Sequence, residues 1–311
     1  MKKMNILITG AHGMLGTAAC EVLGQEHRVR SLGRHEVDIT DFEILMQKLI
    51  QEPRPDLIVH CAAFTKVDEA ESPENRNLLW KTNVDTIRAL CGICLKHRIR
   101  IMYPQTFLVL KDQLEPHGES SLDVGPLGLY AWSKLEAEKV LCDLLPPELR
   151  MVIRLGGLFG GGPGKDKNFV GLFLRRILPE SQRRGEKIIE VGDRVWQPTW
   201  TKDIAHVMRW ALERPWCPSY QYASSEGVSF ASIAAAILTE VGLSNIEIVE
   251  VPSSKIVSKA PRPQTILMTS SDEVVRAGLV QSYRPRLRAY LEKEWGVYCR
   301  QTFFAGVLHH E

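Results

Sequence analysis

The sequence lacks the features that mark several classes of protein. It has no block of basic residues and its net charge is only +2, so we expect neither a nucleic acid nor a membrane surface as partner. No apolar run is long enough to cross a bilayer, and the chain passes from Met1 into its first predicted strand without a signal peptide. No internal repeat or low-complexity linker divides the chain.

Cysteine is sparse and forms no framework. The 311 residues contain 7 cysteines, an odd number at scattered positions. Cys91 and Cys94 have CxxC spacing, but they lie in a helical pattern without a second pair, so core packing is the expected role. We therefore predict no metal site, and we expect a reduced, cytoplasmic protein.

The feature that is present, and around which the chain is organised, is a glycine-rich turn near the N-terminus. An apolar run over 4–9 predicts a buried parallel strand, and Gly10, Gly13 and Gly16 follow it at intervals of three before a predicted helix. Gly10 permits a tight turn, Gly13 lets the backbone approach a pyrophosphate, and Gly16 lets the helix pack against the strand. This context indicates a dinucleotide-binding turn.

Strands and helices alternate along the chain, which predicts an α/β fold with a Rossmann-like doubly wound parallel sheet. A small, discontinuous substrate-binding lobe is expected beside it. We predict that the dinucleotide-binding lobe comprises 1–155 and is rejoined by about 187–214, and that the substrate-binding lobe comprises mostly 156–186 and 215–311.

A tyrosine and a lysine four residues apart stand at the start of a predicted helix. The spacing places Tyr130 and Lys134 on one helix face. A nearby ammonium favours the phenolate and would lower the pKa of the tyrosine, which could then protonate a carbonyl oxygen as a hydride reaches its carbon. The pair is a candidate catalytic site; a surface helix pair without function is the alternative.

Together these patterns resemble the extended short-chain dehydrogenases/reductases, and more closely the dTDP-4-dehydrorhamnose reductase family, which includes the regulatory beta subunit of methionine adenosyltransferase. The resemblance covers nearly the whole chain. It rests on the glycine turn, on Tyr130 and Lys134, and on the motifs Val37-Asp38-Ile39-Thr40-Asp41, 55–71 (PDLIVHCAAFTKVDEAE), Asn83, Arg154, Asn168-Phe169, Pro198-Thr199 and Arg262-Pro263.

The resemblance implies a nicotinamide cofactor, a nucleotide-sugar substrate and Tyr130 as proton donor, with Lys134 holding the ribose. The positions it places at the cofactor are Gly10, His12, Gly13, Met14, Leu15, Gly16, Arg34, Asp38, Ile39, Cys61, Ala62, Ala63, Thr65 and Asn83. Arg34 follows the second strand, where a 2′-phosphate would lie, and no acid occupies the strand end. This favours NADP, although NAD stays possible and Arg34 could equally be a solvated surface residue.

The chain departs from the family at the end of the fourth strand. The family has Ser-Thr-Asp-Tyr-Val-Phe there, whereas this chain has Pro104-Gln105-Thr106-Phe107-Leu108-Val109, which puts Gln105 at the position of the catalytic hydroxyl. Three alternatives follow: the Gln105 amide binds the substrate carbonyl, Thr106 shifts into the role, or the role is lost. We expect Gln105 to face the cleft.

Three functions remain open. The first is NAD(P)H-dependent reduction of a 4-keto-6-deoxy nucleotide sugar in deoxysugar or polysaccharide precursor biosynthesis, by a protein that could be a homodimer. The second is a non-catalytic, NADP-binding regulatory subunit, which the altered segment at Gln105 allows. The third is a nucleotide-sugar epimerase or dehydratase of the same superfamily, although the Asp-Glu pair expected of a dehydratase near Gln105 and Thr106 is not there.

Overall fold

A computed structural model describes residues 3–121 and 123–303 of the chain. The strands are β1 (Asn5–Thr9), β2 (Arg28–Leu32), β3 (Leu57–His60), β4 (Arg100–Thr106), β5 (Arg150–Leu155), β6 (Gly157–Phe159), β7 (Ile188–Gly192), β8 (Val195–Trp196), β9 (Pro198–Trp200), β10 (Ser219–Tyr222), β11 (Val228–Ser229) and β12 (Glu247–Val251).

The α-helices are α1 (Met14–Leu23), α2 (Phe42–Ile50), α3 (Val67–Ala70), α4 (Arg76–Trp80), α5 (Thr86–His97), α6 (Leu129–Leu144), α7 (Gly162–Lys165), α8 (Phe169–Leu172), α9 (Leu178–Arg183), α10 (Thr201–Leu212), α11 (Phe230–Glu240), α12 (Asp272–Arg276), α13 (Tyr283–Tyr290) and α14 (Gly296–Phe303). Single π-helical turns, Lys81–Asp85, Phe173–Ile177 and Leu291–Trp295, join helices into longer ones. Short 3-10 turns occur at Pro73–Asn75, Phe107–Val109, Pro147–Leu149 and Ser253–Lys255.

The main sheet has six parallel strands in the order β10-β5-β4-β3-β1-β2. The inner strands β1 and β3 are buried on both faces because helices cover both sides, whereas the edge strand β2 carries Arg28, Arg30 and Ser31. On one side α2, α5 and α6 bury Leu7, Ile58 and Ile101, and on the other α1 and α10 bury Ile6, Ile8 and several further strand residues. The prediction of a doubly wound α/β fold is confirmed.

A second hydrophobic core lies outside the main sheet. It contains Phe159, Phe173, Trp196 and Trp295, and β7 pairs there with β12 in a parallel two-stranded sheet. The segment 187–214 was expected to rejoin the first lobe, but its strand β7 belongs to this second core because Ile189 and Val191 pack there. Within that segment, α10 does pack on the main sheet.

The strand β10 shows that the segment 215–311 is not confined to one lobe. It comes from 215–311, which the sequence assigns mostly to the substrate-binding lobe, yet it forms the edge of the six-stranded sheet beside β5. Tyr220 and Tyr222 are buried against α10, which explains the placement. The remaining lobe boundaries stay predictions. Among the described residues, no helix is both long and apolar enough to span a membrane.

Candidate functional site

The glycine turn connects β1 to α1 with little room for side chains. Gly10 has φ +63°, and a Cβ there would lie 2.6 Å from the backbone nitrogen of Ala62. A Cβ on Gly16 would collide with the carbonyl oxygen of Gly10, so glycine is required at both positions. Gly13 is the N-cap residue of α1, and its own N–H is bonded to the Gly10 carbonyl at 2.9 Å. The exposed, bare start of α1 can therefore receive an anionic group.

The loop that follows β3 lies beside this turn. Cys61 donates its N–H to the carbonyl of Thr9 at 3.1 Å, and Ala62 touches Gly10. Cys61, Ala62 and Ala63 are half-buried and Thr65 is exposed, so this loop can form one wall of a cleft at the carboxyl ends of the strands.

Asn83 supports this loop from behind. Its Oδ1 accepts the N–H of Phe64 at 2.8 Å, and its Nδ2 donates to the hydroxyl of Ser133 at 2.8 Å. The side chain is buried, and it joins the loop after β3 to the helix that carries Tyr130. Its place in the structure is that of a support, with both polar atoms bonded within the protein.

Arg34, Asp38 and Ile39 follow β2. Arg34 and Asp38 are exposed, and Ile39 is half-buried against the core. The backbone N–H and the hydroxyl of Thr40 donate to the Asp38 carboxylate at 2.9 and 2.8 Å. These two hydrogen bonds lower the pKa of Asp38.

Glu36 is a site residue that the sequence analysis missed. Its Oε2 accepts the N–H of Gly33 at 2.8 Å, which brings the carboxylate back to the end of β2. The Nε2 of His12 lies 3.8 Å from its Oε1. The statement that no acid occupies the strand end is therefore wrong. The sequence signal that could have identified Glu36 is a carboxylate three residues after a glycine. At this spacing the side chain can accept a hydrogen bond from the backbone N–H at the start of the turn.

Tyr130 lies in the first turn of α6 and is 9% exposed. Burial raises the pKa of its phenol to about 12. The Thr106 side chain has the opposite, smaller effect on this pKa. The side chain packs with Phe64 and Leu108. The phenol is therefore protonated at neutral pH, and the hydroxyl beside it is that of Thr106.

Lys134 lies one turn further along α6 and is 5% exposed. Its Nζ donates to the carbonyl of Pro104 at 2.9 Å and lies 3.8 Å from the ring centroid of Tyr103. Burial lowers the pKa of Lys134 to about 7, and the charges of Glu138 and Cys61 oppose that shift. The expected lowering of the Tyr130 pKa by this ammonium is not found: burial raises that pKa, and the group that opposes the rise is Thr106, not Lys134.

The buried lysine gives a prediction for the dependence of stability on pH. Its pKa is about 7 in the folded chain and is ordinary, near 10.5, when unfolded. Between these values the unfolded state binds the additional proton, so this group adds stability as pH rises from about 7. We expect Lys134→Met to reduce the rise in the free energy of unfolding between neutral and alkaline pH, measured by urea denaturation. Equal pH slopes in both proteins would contradict the lowered pKa.

Gln105 does not face the cleft, and this expectation is wrong. The residue is 1% exposed, and its Nε2 donates to the carbonyl of Lys134 at 2.9 Å and to Oε2 of Glu138 at 2.6 Å. Side chains alternate along β4, and Ile101 and Tyr103 also face the helices α5 and α6. Gln105 shares their parity, so it points into that layer and Thr106 does not.

Thr106 therefore takes the position of the hydroxyl. It ends β4, and its Oγ1 also accepts the N–H of Leu108 at 3.2 Å, which caps the turn Phe107–Val109. Of the three alternatives, the structure excludes the one in which the Gln105 amide binds the substrate carbonyl, and Thr106 stays the candidate for the hydroxyl. The family pattern Ser-Thr then corresponds to Gln105-Thr106, one residue later than first aligned.

The site is built from polar side chains and bare backbone. In the residues that the structure describes, no group of His, Cys, Asp and Glu is arranged to hold a metal ion. All parts of the site lie at the carboxyl-terminal edge of the parallel sheet: the glycine turn, the loop after β3, Thr106, Tyr130 and Lys134.

Comparison with known proteins agrees with this geometry. The family described as "RmlD substrate binding domain" matches residues 4–295. A dTDP-4-keto-6-deoxy-D-glucose reductase of Streptomyces niveus is 31% identical over 261 residues, which are 83% of this chain and 86% of that protein.

Two solved structures have the same fold. A dTDP-4-dehydrorhamnose reductase from Clostridium acetobutylicum superposes with a TM-score of 0.81 at 24% identity, covering 93% of this chain and 99% of that one. A dTDP-4-dehydrorhamnose reductase from Bacillus anthracis, in complex with NADP, gives 0.80 at 23% identity and covers 94% of this chain and 99% of that one.

Proposed function

The chain belongs to the RmlD substrate binding domain family, and we propose that it is an NAD(P)H-dependent oxidoreductase that reduces the 4-keto group of a dTDP-linked 4-keto-6-deoxy sugar. The observation that carries the proposal is the arrangement of Tyr130 and Lys134 in successive turns of α6 against the end of β4, where Lys134 bonds the Pro104 carbonyl at 2.9 Å and the Thr106 side chain acts on the protonated phenol. A relative named as a reductase of such a sugar, 31% identical, supports the substrate class.

The residues present fit a dinucleotide. A side chain at Gly10 or Gly16 would collide with backbone, so the turn stays bare, and the start of α1 offers N–H groups to a pyrophosphate. Arg34, Asp38 and Ile39 would hold the adenosine end. Met14 and Leu15 would pack against the cofactor, and Ala62, Ala63 and Thr65 would line its cleft. NADP is the proposed cofactor, supported by Arg34 and by the NADP complex of the Bacillus anthracis protein.

The bound nicotinamide would supply a hydride to the carbonyl carbon. Tyr130 donates its phenolic proton to the carbonyl oxygen, which gives the alcohol. Its pKa of about 12 keeps that proton in place at neutral pH. Thr106 orients the phenol and can bond the same oxygen. Lys134, with a pKa of about 7, would hold the cofactor ribose and could return a proton to the phenolate.

The regulatory alternative rested on the loss of the hydroxyl at Gln105. Since Thr106 supplies a hydroxyl beside Tyr130, that reason for a non-catalytic protein is removed. The epimerase alternative has no feature of the described residues in its favour, and fold alone does not decide between these chemistries.

The proposal is tested by following NADPH oxidation with a panel of nucleotide-linked 4-keto sugars. We expect turnover with a dTDP-linked 4-keto-6-deoxy sugar and a reduced sugar as product, identified by mass spectrometry. Tight NADPH binding without oxidation across the panel would favour the regulatory subunit. Interconversion of sugars without net NADPH consumption would favour the epimerase.

The glycine turn gives a prediction for cofactor binding. Gly13 lies in extended backbone at φ −77°, which valine can adopt, and its Cβ would lie 3.2 Å from the Gly10 carbonyl oxygen, so Gly13→Val needs a small local shift. Its branched side chain would stand where the pyrophosphate must lie. We expect loss of NADPH binding in a fluorescence titration, with an unchanged circular dichroism spectrum. Parent affinity in a folded variant would remove the turn from the cofactor site.

The charges at the end of β2 give a prediction for cofactor choice. The carboxylate of Glu36 would repel a 2′-phosphate and accept a bond from a 2′-hydroxyl, whereas Arg34 would attract the phosphate. Glu36→Gln should tighten NADPH binding roughly two- to fivefold, the scale of one exposed charge pair, without tightening NADH. Arg34→Ala should weaken NADPH more than NADH. Parallel changes for both cofactors would show that these residues do not discriminate.

Assembly and location complete the proposal. A homodimer is proposed, supported by Leu78, Trp80 and Trp132, whose large apolar side chains are 39–49% exposed on α4 and α6. Sedimentation velocity would test it, and a concentration-independent monomer would contradict it.

A cytoplasmic location is proposed from the seven cysteines, all of which are free.

A further inference from the structure

Gln105 is placed between two of the proposed catalytic residues without touching the cleft. Its Oε1 accepts the backbone N–H of Thr106 at 2.8 Å. Its Nε2 donates to the backbone carbonyl of Lys134 at 2.9 Å. A single buried amide therefore bonds the main chain of both residues, one at the end of β4 and the other in α6.

A buried ion pair fixes the orientation of that amide. Glu138 accepts from Gln105 Nε2 at 2.6 Å through one oxygen and pairs with Arg154 at 3.2 Å through the other. Arg154 lies opposite Gln105 in the strand pairing of β4 with β5. The side chains of Glu138 and Arg154 are only 18% and 13% exposed. With the carboxylate held in place, the amide can present its nitrogen to Lys134 and its oxygen to Thr106, and not the reverse.

The same hydrogen-bond network continues from Arg154 to the strand β10 and to the loops that contain His117 and Thr269. Arg154 contacts Gln221 on β10 at 3.5 Å, and the Nε2 of Gln221 donates to the carbonyls of His117 and Thr269 at 2.8 and 2.7 Å. The Gln105 amide is thus held on one side by main-chain groups of Thr106 and Lys134. On the other side it is held by the polar network that begins with Glu138 and Arg154.

We propose that Gln105 is a positioning residue that sets the Thr106 hydroxyl and the Lys134 ammonium in register with Tyr130, with Glu138 and Arg154 orienting its amide. The inference rests on the proposed function. It explains why a glutamine can occupy a position where the family has a serine, since the longer side chain spans the gap between β4 and α6. A displacement of about 1 Å between reacting groups can reduce a rate about 100-fold, so a bond of this kind can affect turnover without contacting substrate.

The first test replaces the amide by a group of similar size that cannot form these bonds. We expect Gln105→Met to lower the single-turnover rate of hydride transfer about tenfold, while the dissociation constant for NADPH, measured by fluorescence, changes less than twofold. NADPH affinity should change little because, of the residues assigned to the cofactor, Gln105 bonds only the main-chain carbonyl of Lys134 and none of the residues of the glycine turn or of the segment after β2. A purely structural defect would instead lower stability and leave the rate per folded molecule unchanged.

Gln197→Met is the matched control for lost buried hydrogen bonds. Gln197 is 6% exposed, donates to the carbonyls of Ser224 and Met268 at 2.8 and 2.9 Å, and accepts from the Met268 N–H at 2.7 Å. It has as many bonds as Gln105 but none to Thr106, Tyr130 or Lys134. We expect a similar loss of stability with the parent rate of hydride transfer.

A reciprocal exchange keeps the proposal testable if Gln105→Met fails to fold. Gln105→Glu places two carboxylates together and should slow hydride transfer more than Gln105→Met. Adding Glu138→Gln lets residue 138 donate to the carboxylate at 105, which still accepts the Thr106 N–H but cannot donate to the Lys134 carbonyl. The double variant should therefore recover the part of the rate that depends on Thr106, beyond the sum of the single effects. Absence of recovery, or a parent rate in Gln105→Glu, would overturn the inference.

The outcomes separate this inference from the proposed function. If Tyr130→Phe is inactive while Gln105→Met and Gln105→Glu turn over at the parent rate, only the positioning role of Gln105 fails. If the parent protein reduces no keto sugar, or Tyr130→Phe is fully active, the proposed function fails and the positioning role fails with it.

Discussion

Replacement of Tyr130 by phenylalanine is expected to lower kcat by at least about 100-fold, the usual scale for loss of a general acid. The phenol has a pKa of about 12 and is therefore protonated at neutral pH, so what the variant removes is the proton itself and not a nucleophile. The ring is retained, and its packing with Phe64 and Leu108 should preserve the first turn of α6. NADPH affinity should stay near the parent value.

Tyr222→Phe provides the control for this change. Tyr222 is also a buried tyrosine, whose hydroxyl donates to the carbonyl of Leu279 at 3.2 Å, and it lies on β10 at the edge of the sheet. We expect the parent kcat for Tyr222→Phe. Reduction of the keto sugar by Tyr130→Phe at the parent rate would remove Tyr130 as the proton donor.

The core of the fold follows from local signals. Apolar runs such as 4–9 can be buried on both faces only in a parallel sheet covered by helices, and the glycines of the first turn are required by contacts with neighbouring backbone. The apolar run and the contact of Gly16 with the Gly10 carbonyl are local in sequence, whereas Gly10 is restricted by Ala62 of the loop after β3. No local pattern indicated the place of β10, because its burial depends on α10. The strand β7 could not be assigned to a sheet without knowing that β12 is its partner.

The site was predictable in its residue types but not in its geometry. The motif identified Tyr130 and Lys134, yet it could not show that burial would raise the pKa of the first and lower that of the second. Gln105 points into the layer of Ile101 and Tyr103 because side chains alternate along β4, and its amide is oriented there by Glu138, which lies 33 residues later in the chain. Glu36 returns to Gly33 through a side-chain bond that no strand or helix pattern encodes.

Loss of the Thr106 hydroxyl is expected to have the second largest effect. Thr106→Val keeps the size and branching of the side chain but removes the hydroxyl that lowers the pKa of Tyr130 and that caps the turn through the Leu108 N–H. If the hydroxyl also bonds the carbonyl oxygen as charge develops there, kcat should fall roughly 100-fold, the scale for one donor to a developing oxyanion. Because the hydrogen bond lowers the Tyr130 pKa, its loss should raise that pKa further.

Comparison with two further variants identifies which residue of the pair carries the role. Thr106→Ser retains a hydroxyl at the end of β4 and should keep most of the parent kcat. Gln105→Thr places a hydroxyl in the layer between β4 and α6, where it meets Lys134 and Glu138 and not the cleft, so it should lower activity. Higher activity in Gln105→Thr with parent activity in Thr106→Val would return the catalytic position to residue 105. The opposite result places it at Thr106, since only one of two neighbouring strand residues can face the substrate.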